Sequence, residues 1–250
     1  MDFTKLIMQL MDGFGNTLLI FFLTLLFSLP LGLLVCFGRM SKWAPLHRLA
    51  ADDERLASAG SRIGRFFLRL GNAIFNFKPI RAIVTFFISI LRGTPLMLQI
   101  IVVFFGPYYL FHIKLTSSYR VTAVVIAFAI NYAAYFAEIF RSGIESIPVG
   151  QREAAEVLGY TKNQTFMKII LPQMVKRVVP PVTNEVITLV KDTSLAFAIT
   201  FTEMFTVAKQ VAAAETTVTP LFVAGLFYFV FNAVVAWVMA KIEKSLAYYN

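Results

Sequence analysis

Five side chains able to exchange hydrogen bonds sit inside long apolar runs: Gln99, Asn131, Asn184, Glu185 and Thr188. Lys191 and Asp192 follow closely on the last three. Amides and a hydroxyl can replace water around a polar guest, and a carboxylate adds a charge-assisted hydrogen bond to a cation. Ionisable groups in apolar surroundings are expensive, so they usually face a cavity or a partner. The same groups also serve as hydrogen bonds between helices, and Glu185 can instead pair with Lys191. Covalent chemistry is poorly provided for. His47 and His112 are the only two histidines, and Cys36 is the single cysteine. Cys36 lies in an apolar run, where a small core residue is expected. The chain has no H-E-x-x-H pair and no G-x-x-x-x-G-K-[ST] phosphate loop. A metal or nucleophile constellation within the membrane is therefore not expected.

The elements that position these groups are helices. Of the 250 residues 58% are hydrophobic and 26 are Phe, whereas soluble domains are roughly half apolar. A bilayer is crossed by about 20 mostly apolar helical residues. The chain offers five such runs, which predicts an all-α integral membrane protein with about five transmembrane helices. They cover residues 16–38, 96–110 and 121–140, a stretch beginning at Pro180-Pro181, and residues 220–240. The net charge of +9 does not mark a nucleic-acid partner, because the cations cluster. Ten of the 23 Lys and Arg lie between Arg39 and Arg92, six between Arg141 and Arg177, and two from Lys241 onward. This positive-inside bias puts the N-terminus outside and the C-terminus in the cytoplasm. The first fifteen residues lack a basic start, so the first run is expected to stay as an anchor.

Between the spans, residues 41–78 form a cytoplasmic or interfacial insertion. From Arg62, the apolar residues Ile63, Phe66, Phe67, Leu70, Ile74 and Phe77 share one helical face, with Arg62, Arg65 and Arg69 on the other. That pattern suits a helix lying against lipid, or one packed on the protein itself. Residues 80–91 read as an elbow along the membrane surface leading into Arg92-Gly-Thr-Pro95. Glu138 and Arg141 stand three apart and can pair. Residues 191–194 break an apolar helix with four polar residues. The outer segment 201–219 suits a short helix.

Residues 153–173 are polar and bounded on both sides by apolar runs. They read as two short helices with a sharp corner. The first follows Pro148 and contains Glu153, Ala154 and Ala155. Gly159 ends it in a left-handed conformation. Thr161 with Gln164 forms a capping box that starts the second, which runs toward Leu171 and stops at Pro172. Such a corner is a plain connecting loop or a docking knob for a cytoplasmic partner. A DNA-reading role is poorly compatible with spans that pin it to the bilayer.

Glu153-Ala-Ala, Gly159 and Ile170-Leu-Pro-Gln173 together resemble the signature of permease subunits of ATP-binding-cassette importers. Leu91-Arg-Gly-Thr-Pro-Leu-Met-Leu-Gln99, Ala137-Glu-Ile-Phe-Arg-Ser-Gly143 leading to Ile147-Pro148, and Lys191-Asp-Thr-Ser-Leu195 are similar to its polar amino-acid uptake branch. The resemblance implies one permease domain over residues 1–250, of the type I importer fold, with a coupling loop at 146–173. It implies that Glu153, Ala154, Ala155, Gly159, Tyr160, Thr161 and Lys162 meet a separate ATPase. That subunit, not this chain, would hold ATP and Mg and hydrolyse the nucleotide, and this chain would be no enzyme. The other implied partners are an extracytoplasmic binding protein, a second permease copy or paralogue, and membrane lipid, in a bacterial cytoplasmic membrane. Gln99, Asn131, Asn184, Glu185 and Thr188 become candidates for the path of a polar or basic amino acid. The alternative is a membrane scaffold that anchors the ATPase and has no path of its own.

Overall fold

The computed structural model describes residues 3–45 and 76–246. Helix α1 spans Phe3–Met40. It buries one stripe from Leu6 and Leu10 through Ile20 and Phe21 to Gly32 and Cys36, the three-to-four-residue spacing of a single helix face. It therefore begins well before the expected residue 16. The added turns are held because Leu6 and Leu10 pack on Met204, Ala208 and Ala224. Pro30 lies inside the helix without ending it.

Helix α4, Ser117–Glu145, is the element around which the rest assembles. Its buried Ala123, Ala127, Ala133, Ala134 and Ala137 let neighbours approach closely. At Gly32 of α1, a Cβ would sit 2.8 Å from Phe136 Cβ and 3.2 Å from the Ala133 carbonyl of α4. Only a residue without a side chain permits that crossing. At the N-terminus of α4, the Tyr119 N–H donates to Thr116 Oγ1 at 3.2 Å, an N-cap that satisfies one orphan donor.

Helices α2, Pro79–Gly93, and α3, Leu96–Phe111, meet at 108°. Pro95 cannot follow a helical residue comfortably, and Thr94 is accordingly extended at φ −121° and ψ 147°. The elbow expected at 80–91 and the span expected at 96–110 are thus α2 and α3. Of the amphipathic stretch expected at 62–77, only Asn76 and Phe77 fall within the described residues.

Two corrections concern proline. Helix α5 is Val149–Val157, and α6, Lys162–Thr165, passes through a π-helical turn at Phe166–Ile170 straight into α7, Leu171–Asp192. Pro172 therefore lies inside a continuing helical path where an ending was expected. It comes directly after the wider π turn, which closes through the Leu171 N–H to Phe166 O. Likewise Pro180 and Pro181 lie inside α7 and do not start a span. Packed membrane helices tolerate such residues.

After α7 a 3-10 turn, Thr193–Ile199, leads to α8, Met204–Ala214, and then to α9, Thr219–Ser245. The polar break at 191–194 and the short outer helix both fall where expected. Helices α1, α4 and α9 are each long and apolar enough to cross a membrane, as is the bent pair α2–α3 taken together. Helix α7 has 22 residues, enough to cross by length (about 20 are needed), but its charged Lys176, Arg177, Glu185, Lys191 and Asp192 make it less apolar than the others. At the α8 end, the Glu203 carboxylate caps its helix. It accepts from Phe205 N–H and Thr206 N–H, both at 2.6 Å, and from Tyr228 O–H at 2.9 Å. Burial pushes its carboxyl above the ordinary range while these donors oppose the shift.

Candidate functional site

Two adjoining cavities run beside α4 and α7. The first, about 420 Å³, is lined by residues that include Thr94, Asn131, Tyr132, Tyr135, Glu185, Thr188 and Asp192. The second, about 430 Å³, lies nearer α5 and includes Arg92, Tyr135, Glu138, Arg141, Arg177 and Glu185. Tyr135 and Glu185 belong to both, so they form a neck between an acidic chamber and a basic mouth.

Of the path residues expected from sequence, Asn131, Glu185 and Thr188 line the first chamber together. Gln99 stands just behind it. Its Nε2 donates to Leu91 O at 2.9 Å and to Thr94 Oγ1 at 2.8 Å. Asn131 Nδ2 donates to Gln99 Oε1 at 3.0 Å and to Leu91 O at 3.2 Å. These two amides therefore fasten the α2–α3 corner to α4, the helix-to-helix bonding that competes with a guest-binding role. Asn184 is exposed and does not line either chamber.

Glu185 and Lys191 do not pair among the described residues. Six positions apart, they project from different sides of a helix with 3.6 residues per turn. Asp192 is engaged, accepting from Tyr132 O–H at 2.7 Å. Glu185 has no hydrogen bond or ion pair among the described residues and is half-buried. It is the carboxylate open to a guest. Sequence reasoning missed Tyr132 and Tyr135 as lining residues. Their spacing from Asn131 and Glu138 put them on one face of α4, but tyrosines in an apolar helix are unremarkable by type.

The basic mouth is braced by ion pairs. Glu138 accepts from Arg39 Nε at 3.3 Å and from Arg141 Nη2 at 2.7 Å. Arg141 also reaches Glu145 at 2.5 Å. The expected Glu138–Arg141 pair is present, and Arg39 extends it to α1. Arg39 also bonds to Thr85 of α2, and Arg177 of α7 bonds to Ser146 O at the end of α4. These bonds tie α1, α2, α4 and α7 together beside the start of α5. Cys36 is fully buried beside this network.

The corner folds as its residues dictate. Gly159 has φ +76°, the left-handed region that favours glycine. Thr161 and Gln164 make both bonds of the capping box: Gln164 N–H to Thr161 Oγ1 at 3.3 Å, and Thr161 N–H to Gln164 Oε1 at 2.9 Å. Glu153, Ala154, Gly159, Tyr160, Thr161 and Lys162 are exposed. Ala155 is 1% exposed and packs inward, so it does not share that surface. Val157 and Leu158 are 86% and 74% exposed beside it, an apolar addition suited to a docking surface. Among the described residues, no group of three or more His, Cys, Asp and Glu is placed to hold a metal ion.

Residues 68–248 match the family described as binding-protein-dependent transport system inner membrane component. The chain is 36% identical over 174 residues to the arginine transport system permease protein ArtQ of Bacillus subtilis (strain 168), covering 69% of this chain and 78% of that one. It is 36% identical over 169 residues to the octopine transport system permease protein OccM of Rhizobium radiobacter, covering 64% and 68%. Among solved structures, a crystal structure of an amino acid ABC transporter with histidines superposes at a TM-score of 0.75. It has 26% sequence identity and covers 98% of this chain and 99% of that one. A polar chamber beside α4 and α7, an exposed helical corner and matches of this extent lead to one assignment: the chain belongs to the binding-protein-dependent transport system inner membrane components and is a permease subunit of an amino-acid ABC importer.

Proposed function

We propose that the chamber lined by Asn131, Tyr132, Tyr135, Glu185, Thr188 and Asp192 is the path of a polar or basic amino acid. Glu185 meets the cationic group of the cargo. The observation that supports this most is a half-buried carboxylate in no hydrogen bond or ion pair among the described residues, set in a chamber about 420 Å³ in volume. A scaffold without a path has no need to bear the insertion cost of such groups. A separate ATPase docks on the corner formed by α5 and α6, touching Ala154, Tyr160, Thr161 and Lys162. Closure of the ATPase pair on ATP and Mg tilts α7, which continues directly from that corner. The path then opens alternately to each side of a bacterial cytoplasmic membrane. A second copy or paralogue completes the wall, and an extracytoplasmic binding protein delivers the cargo.

The test is reconstitution of the chain with its ATPase and delivery protein in liposomes. ATP hydrolysis and uptake are measured across a panel of amino acids. Stimulation by one or a few polar or basic amino acids is expected. Hydrolysis indifferent to every amino acid, with no uptake, refutes the reading.

A further inference from the structure

Arg92 is the penultimate residue of α2, just before the 108° corner. That corner is fastened on both sides. Gln99 and Asn131 each donate to the carbonyl of Leu91, the neighbour of Arg92. From this fixed base the guanidinium lies over the ring of Tyr135, 5.2 Å from its centroid. Tyr135 and Glu185 are the two residues common to the chamber and the mouth, and Arg92 lines the mouth with them. Among the described residues neither Arg92 nor Glu185 is in an ion pair.

We propose that Arg92 is the resident cation of the neck: stacked on Tyr135 and sharing a cavity with Glu185, it closes the empty path, and the cationic group of the cargo takes its place. This deepens the transport reading and rests on it. A planar guanidinium suits the task, because it stacks on an aromatic face and still presents donors to a carboxylate. An ammonium can also sit over a ring, as Lys209 does over Phe197, but it cannot stack plane to plane and covers less of the face. A cationic cargo beside Glu185 repels a guanidinium that lines the same cavity, so entry of a basic cargo and departure of Arg92 are linked. The corner supplies the motion. Arg92 sits where α2 and α3 change direction, so a change in the angle between them moves the guanidinium off the ring.

The test reads the neck with no cargo present. In the assembled complex, Cys36→Ala removes the native thiol and Leu195→Cys, at a half-buried residue that lines the chamber but not the mouth, places a reporter beyond the neck. A membrane-impermeant maleimide is applied from the α5 side without nucleotide. Arg92→Ala and Tyr135→Ala are each expected to raise the labelling rate about fivefold, the loss of one exposed-to-partly-buried stack. Arg92→Lys falls between, and Tyr135→Phe, which keeps the ring, labels at the parent rate. An unchanged rate in Arg92→Ala overturns the proposal. So does an equal rise in Arg81→Ala, on the same helix but lining neither chamber nor mouth. Because no cargo is added, this outcome is independent of the amino-acid reading. Failure of the parent complex to take up any amino acid sinks that reading and leaves the labelling result standing.

Discussion

Glu185→Gln is the sharpest probe of the path. The substitution keeps side-chain size, so the chamber of about 420 Å³ is not enlarged; it removes the charge and turns one acceptor oxygen into an NH2 donor. In the folded protein Glu185 has no hydrogen bond or ion pair to lose among the described residues. The change therefore falls on the cargo and hardly on stability. A hydrogen bond to a charged group contributes about 1.5–3 kcal/mol when well buried. Glu185 is only half-buried, so about 1–2 kcal/mol is the working figure, a roughly 5- to 30-fold change in preference. The assay is competitive uptake of arginine against glutamine in proteoliposomes, read as the ratio of the two kcat/KM values. That ratio should fall by this factor, with glutamine uptake little altered. Asp192→Asn should act more weakly on the ratio, because Asp192 is already held by Tyr132 at 2.7 Å. If the arginine-to-glutamine ratio in Glu185→Gln matches the parent, the carboxylate is not the selector.

Ala154→Arg should abolish co-purification of the ATPase while leaving the permease folded. Ala155→Arg, at a site 1% exposed, should instead destabilise the permease itself by several kcal/mol, seen as loss of monodisperse protein in detergent. Glu138→Ala deprives Arg39 and Arg141 of a shared carboxylate. With these side chains 17–29% exposed, the cost should be about 1–2 kcal/mol, below that of a fully buried pair, and the thermal midpoint should drop by roughly 2–8 °C. Gly32→Ala sets a Cβ 2.8 Å from Phe136 Cβ and should cost about 1–3 kcal/mol by overpacking, whereas Gly225→Ala, with nothing within 4 Å, should be nearly neutral in the same thermal assay.

What the sequence revealed and what it hid follow from the range of the forces involved. The corner was legible because its signals are local: Pro148 before a helix, Gly159 at a positive φ, Thr161 and Gln164 in reciprocal bonds. The elbow was legible because Pro95 constrains its own neighbour. Pro172, Pro180 and Pro181 misled for the opposite reason. Their penalty is set by tertiary packing and by a π turn, neither of which shows in the residue types. Gln99 and Asn131 stand out in the sequence as polar groups within apolar runs. That they bond chiefly to each other and to Leu91 depends on a contact between residues 32 positions apart. The buried state of Ala155 beside an exposed Ala154 is a consequence of helical geometry. Consecutive residues point about 100° apart, so one docking surface rarely holds both.

The unbroken passage from α6 through the π turn into α7 fixes more than a connection. Between Lys162 and Glu185 the backbone is continuously helical, on the order of 35 Å long at 1.5 Å per residue, with no extended segment in between. Inserting or deleting a single residue anywhere along it turns everything downstream by about 100°. Glu185 would then swing out of the chamber while the docking surface stayed where it was. Side chains along it can be exchanged one by one, but its residue count sets the angle between the exposed corner and the chamber.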